Sequence, residues 1–492
     1  MNQHPKNSCD HLSVIVLTVV TLSAMAGTLL AQDVAHYVGT NSCAAANCHG
    51  GDGSGPRWTS SYSDWVQRDK HARAYTVLLG ERSRRMVRAL GYKQPAHEAV
   101  TCLNCHALPP ISGGRAGHDR RLATDGVSCE SCHGPASLWI ARHVRSDWPR
   151  VKLRQAADLS FYDTDDVRMR TRACTGCHVG GPGRDVNHDL IAAGHPRLNF
   201  EMSAYHANLP RHWDDTADRK RHAGRPDAAD GTLRELKLWA VGQVETLRAR
   251  AELSRWRAAS AGIAPWPELA ETRCFACHHD LRDARWRRPT KKEQRRPDWS
   301  LGQFRWSRWE RSMIESLLPI DSTASGAELT TVLDNVDKLT LSVVVPDRDR
   351  MKTETAALAA QLDKWSVALN QRTFNVKDLD GLARRLVAES ESHRGPVDWD
   401  QAAQLYLALS SFQVSQKEAT GLTGKRRQAV DRALSGALSR MRDVLRFPNG
   451  HDSAAQLSGP SADVDAPPVA LEQFDRAIRV IRSALNDSDG VK

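Results

Sequence analysis

The sequence predicts a mostly α protein in two unlike parts: a cofactor-organised segment with little regular structure, then an antiparallel α-helical bundle. Three observations predict this. Five times a cysteine pair is followed at once by histidine, always before residue 279. The same region is dense in Gly, Pro, His and Trp and contains few long periodic segments. Beyond about residue 300 no such motif recurs, and apolar residues return at helical spacing.

The motifs carry the chemistry. Cys102, Cys105 and His106, Cys129, Cys132 and His133, Cys174, Cys177 and His178, and Cys274, Cys277 and His278 share a two-residue gap between the thiols. Cys43, Cys48 and His49 form a wider version with four residues in the gap, so two of them must bulge out. This is the pattern of covalent c-type haem attachment. The thiols bond the porphyrin vinyl carbons, and the adjacent imidazole falls under the iron as its proximal ligand. Zinc sites place their second ligand pair at finger or ribbon spacing, and disulfides require no trailing histidine. Of 11 Cys, ten fall in the motifs and only Cys9 is left over. The expectation is about five haem c groups per chain.

The N-terminus agrees with an exported cytochrome. Residues 12–31 form an apolar run after a short polar start, with small residues up to Ala31, where cleavage of a signal peptide (1–31) is expected. Because c-type haem is attached after export, the expected compartment is a bacterial periplasm. An uncleaved helix anchor is the competing reading. The formal charge of +10 does not point to nucleic acid, because five haems bring roughly ten propionates that offset it. A hydrophobic content of 40% suits a soluble protein with a modest core.

The cysteine map divides the chain into a pentahaem domain (32–282), a basic Pro-punctuated linker (283–299) and a helical domain (300–492). Within the first, one clear helix is expected over 232–259, with Leu236, Trp239, Val244, Leu247 and Leu253 on a shared apolar side that packs on the haem stack. In the last, Leu358, Leu362, Trp365 and Leu369 recur at helical spacing, as do Val430, Leu434, Ala437, Met441 and Val444. Further helices are expected around 379–389, 399–415 and 471–485, with turns at Pro396 and Gly421/Gly424 and a flexible connector near 450–468.

Ligand supply decides what the irons can do. Histidine outside the motifs is in surplus before residue 290, so His/His ligation is favoured over ligation by Met86, Met169 or Met202. The distal candidates are His71, His143, His195 and His206, with His97 and His118 as second choices. His279 adjoins a proximal ligand and is expected to serve no iron.

CLNCH and GVSCESCHGPAS, with HARAY upstream, resemble the multihaem family named after cytochromes c-552 and c-554, over about residues 38–280. The resemblance implies a periplasmic electron carrier with haems packed in close pairs and mostly His/His ligated, and it matches His71 and His143 to positions that supply distal ligands. Some relatives keep one iron open and react with small nitrogen oxides. The chain departs from the pattern in its wide first motif, in the long helix before the fifth motif and in the C-terminal bundle. The expected function is electron transfer through the haems. Its alternative is a haem oxidoreductase acting on nitrite, hydroxylamine or NO, with Arg211 and His212 beside the site. A third reading makes the chain a structural subunit whose bundle docks the haem domain. Expected partners are redox donor and acceptor proteins and no nucleic acid, with membrane contact only through an uncleaved signal or a membrane redox complex.

Overall fold

The computed structural model describes residues 34–109, 119–211, 233–272, 306, 308–320, 326–341, 343–391, 399–419, 425–445 and 468–487. The apolar segment 1–31, His118, His212, the fifth motif (Cys274, Cys277, His278) with His279, the linker 283–299 and most of the connector near 450–468 lie outside the described residues. The described chain is mostly helical and has no strand, as the sequence predicts. None of its helices is long and apolar enough to cross a membrane.

The N-terminal part is built from short helices: α1 (Ser61–Arg68), α2 (Glu81–Ala89), α3 (Val100–His106), α4 (Cys129–His133), α5 (Val167–His178) and α6 (Met202–Asn208). Its apolar side chains form small separate clusters, such as Leu78, Val87, Ala96 and Leu103, or Ala136, Trp139 and Leu159. Clusters of that size bury too little apolar surface to order a long segment by themselves. The space between them is a cavity, described below.

The C-terminal part has one continuous core. α7 (Arg234–Ala259) contributes Leu236, Trp239, Val244 and Leu247 to it, beside residues of α8 (Gly326–Leu341), α9 (Arg348–Gln371), α10 (Val376–Glu391), α11 (Trp399–Glu418), α12 (Lys425–Leu445) and α13 (Pro468–Asp487). The apolar stripes predicted on α9 and α12 are buried, with Leu358, Leu362 and Leu369 fully enclosed and Val444 packed against the edge. α7 packs on α9 and α11, and also on α5 and α6 of the motif region. The five apolar residues expected on its one side are all buried, yet so are Glu245, Arg250 and Arg257. A helix enclosed all round keeps charges only if each is paired. Arg250 binds Glu310, and Arg257 binds Glu271 and Asp185. α6 approaches α7 closely at Gly242, where a Cβ would lie 2.5 Å from the Met202 Cβ.

The contact between α6, α7 and α11 also holds a cluster of acids. Glu201 caps α6 by accepting from the Ser203 and Ala204 amides, and the Gln243 Nε2 lies between the Glu201 Oε1 (3.5 Å) and the Gln404 Oε1 (3.4 Å). Burial raises the Glu201 carboxyl to about 7, against the opposing pull of those amides. Glu235 is likewise raised to about 7, by burial and then by the nearby charges of Glu201 and Glu418. A carboxyl whose folded pKa exceeds its unfolded value near 4.5 contributes stability below about pH 4.5, and this is lost as pH rises through about 7. Glu201→Gln is therefore expected to gain on the wild type in thermal melts as pH goes from 5 to 8, by about 1–3 kcal/mol. A constant difference between the two melting curves across that range would contradict this assignment.

Candidate haem site

Three motifs end helices. In α3, α4 and α5 the two cysteines and the histidine form the last turn. Residues at i, i+3 and i+4 share one helix face, so both thiols and the imidazole point the same way. The first motif follows a 3-10 turn (Thr40–Cys43) and continues as non-helical turn, as its wider gap requires. At the end of α4 the chain must turn sharply. Gly134 has φ +79°, and a Cβ there would lie 2.1 Å from the Ser160 carbonyl oxygen, so only glycine fits.

These four motifs open into one cavity of about 860 Å³. Its wall includes all eight thiols, the proximal candidates His49, His106, His133 and His178, and the distal candidates His71, His143, His195 and His206. All eight cysteines are free of disulfides and half-buried. The Cys43 thiol lies close enough to that of Cys129 to perturb it, and the Cys105 thiol to that of Cys177, so the first motif stands beside the third and the second beside the fourth. Met86 and Met202 also reach the wall. His97 does not line it and packs on Tyr75 instead.

The imidazoles are held in a common way. His49 Nδ1–H donates to the Trp58 carbonyl (2.8 Å), His106 to Ala74 (2.8 Å), His195 to Pro196 (2.8 Å), and His143 to Ile140. A carbonyl can only accept, so the proton sits on Nδ1 and the Nε2 lone pair is left for a metal. His71 achieves the same through the Asp69 carboxylate at 2.9 Å. Burial lowers His178 to about 3 and His195 to about 4, and lowers His106 and His143 as well. Each is thus neutral near pH 7, the form that ligates iron. His71 is the exception: burial opposes its charge, but the Asp69 carboxylate outweighs it and raises the pKa. His206 is held differently, with its Nε2 accepting from the Arg170 guanidinium at 2.9 Å.

Ring separations show how these side chains face each other. His49 and His143 lie 6.3 Å apart, His71 and His178 6.0 Å, and His106 and His195 6.4 Å, centroid to centroid. Metal–imidazole bonds of about 2 Å, with each ring centroid about 1 Å further out, require about 6 Å between two rings that share one metal. His133 stacks with Phe161 at 6.2 Å. The paired thiol faces, the exposed lone pairs and these spacings suit covalent haem c.

Sequence reasoning missed two residues that shape the site. Glu130, inside the third motif, is 2% exposed and reads in the sequence as a spacer. Its carboxylate accepts from the backbone amides of Val38 (3.0 Å), Gly39 (2.8 Å) and Ala136 (2.8 Å), tying the strand-like approach to the first motif onto the third. Asp69 is the other: it lies two residues before His71 and is the only signal of that role in the sequence. If His71 ligates iron, a carboxylate on its far nitrogen would favour the oxidised metal. Asp69→Asn is expected to raise one haem potential by about 60 mV or more, the one-electron equivalent of about 1.4 kcal/mol. Redox titration followed at the haem band checks this, and an unchanged set of midpoints would refute it.

Residues 42–134 match the family model described as cytochrome c554 and c-prime. That span takes in the first three motifs, His71 and His97, and supports a c-type cytochrome resembling the c-552/c-554 family. No curated protein and no solved structure matches the chain.

Proposed function

We propose that this chain, a c-type cytochrome by its matched segment, is an exported electron carrier that moves electrons through five covalently bound haems between a donor and an acceptor protein. The observation that supports it is the single cavity that gathers four motifs and four further histidines. Bound haem supplies one-electron Fe(III)/Fe(II) chemistry. The chain's own residues do the rest. The thiols of Cys43, Cys48, Cys102, Cys105, Cys129, Cys132, Cys174 and Cys177 would tether four haems, and Cys274 and Cys277 the fifth, with His278 as its proximal ligand. His49 would pair with His143, His106 with His195, and His178 with His71. Carbonyls and Asp69 hold those rings in place, so ligation need not change with oxidation state. The bundle, read as antiparallel from the short connector between the packed helices α11 and α12, gives the motif region the apolar support it lacks.

A pyridine haemochrome assay with electron paramagnetic resonance on the oxidised protein tests the reading. The expected result is five haems per chain, with low-spin signals from the three imidazole pairs. A count of two or fewer, or high-spin iron throughout, would overturn it. One high-spin haem among five would favour the oxidoreductase reading with small nitrogen oxides, and the ring stacked on Phe161, His133, is where it is expected to arise.

A further inference from the structure

The segment 68–88 stands out on the surface of the motif region. It holds seven Lys or Arg against two acids, a net charge of +5 within a chain whose formal net charge is +10. Arg68, Lys70, Arg73, Arg82, Arg84, Arg85 and Arg88 are all exposed, whereas one of the two acids, Asp69, is buried. The two apolar side chains Val77 (52% exposed) and Leu79 (45%) fall between these cations in the sequence, and Arg84 donates to the Leu79 carbonyl at 2.8 Å. A small apolar centre with an arginine-rich rim is the composition of a protein-docking surface.

The same segment is bound directly to one imidazole pair. Its Ala74 carbonyl holds His106, and Arg82 donates from Nε (2.9 Å) and Nη2 (2.6 Å) to the carbonyl of Gly194, the residue before His195. The inner faces of Val77, Leu78, Met86 and Val87 form the cavity wall there. One layer of side chains therefore separates the basic surface from the space between His106 and His195.

We infer that the surface formed by residues 68–88 is the docking site for an acidic one-electron redox protein, which exchanges electrons with the haem held by Cys102, Cys105 and His106. This rests on the electron-transfer reading above. Guanidinium groups match carboxylates in bidentate geometry, and a patch of one sign steers an oppositely charged partner. A lipid surface fits less well. A helix that lies on a membrane turns an apolar face outward, but the outward face of α2 is arginine and Glu81, while its Val87 is buried. In the transfer, the reduced partner gives up one electron, one Fe(III) becomes Fe(II), and no bond is made or broken.

The test uses the haem-loaded protein in stopped flow with two reductants, flavodoxin hydroquinone as an acidic protein probe and the neutral lumiflavin semiquinone as a small one. Flavodoxin's anionic hydroquinone passes one electron and becomes the neutral semiquinone. Arg84→Glu/Arg85→Glu/Arg88→Glu is compared with Arg476→Glu/Arg479→Glu/Arg482→Glu, an equal charge reversal at exposed positions of α13. The expected result is a drop of about tenfold or more in the low-salt flavodoxin rate for the first variant only, with its salt dependence flattened. The lumiflavin rate and the haem count stay unchanged. Equal slowing by both variants, or slowing by neither, would overturn the docking site. So would loss of sedimentation with phosphatidylglycerol vesicles in the first variant at an unaltered flavodoxin rate, which would assign the patch to a membrane surface. Failure of lumiflavin to reduce any haem would instead overturn the electron-transfer reading itself.

Discussion

Glu130→Ala is expected to cost about 3–5 kcal/mol and to lower the haem count by one or more per chain. The Glu130 carboxylate is the acceptor for three backbone amides, Val38, Gly39 and Ala136, in a site closed to water. Each amide left without an acceptor costs about 1–3 kcal/mol, because nothing replaces the bond. Val38 and Gly39 lead straight into the turn that carries Cys43, so their release frees the first motif from the third. Glu130→Gln keeps one accepting oxygen and is expected to lose less. The measurements are thermal unfolding and a haemochrome assay of both variants. Wild-type stability and haem content in Glu130→Ala would show that the carboxylate is dispensable.

The second large effect is expected at Glu245, which is fully buried on α7. Its Oε1 accepts from Arg168 Nε (3.1 Å) and Ser366, and its Oε2 from Arg172 Nε (3.0 Å) and Arg248. Arg168 and Arg172 belong to α5, whose last turn carries Cys174, Cys177 and His178. One side chain thus fastens a motif helix to the bundle. Glu245→Ala leaves Arg168 and Arg172 with only the partly exposed Asp363, and Arg248 with Glu252. Breaking a buried ion pair from one side costs about 3–5 kcal/mol, mostly from the charges left behind. The expected outcome is a lower unfolding temperature together with a changed midpoint for one haem. A loss of stability with every midpoint unchanged would mean that the cluster holds the bundle without bearing on the fourth motif.

Local spacing made the geometry of the motifs legible. Two thiols and an imidazole within five residues reach one face of a helical turn whatever the rest of the chain does, and α3, α4 and α5 place them so. The same locality made the C-terminal helices legible, since the stripes on α9 and α12 need only a helix and a core. Periodicity was a poorer guide to α7. It showed one apolar side, whereas the helix is enclosed by the C-terminal helices and by α5 and α6 together, with Arg250 and Arg257 paired inside.

The sequence by itself determined the five motifs of a cysteine pair with a following histidine, the mostly helical character and the surplus of further imidazoles. Only the tertiary structure decided which of those imidazoles face one another, because His143, His195 and His71 meet His49, His106 and His178 through turns that spacing does not encode. It also decided what Glu130, Asp69 and Glu245 do. An acidic residue on the page looks the same whether it meets water, a row of amides or three arginines, and the difference lies in what long-range packing brings against it.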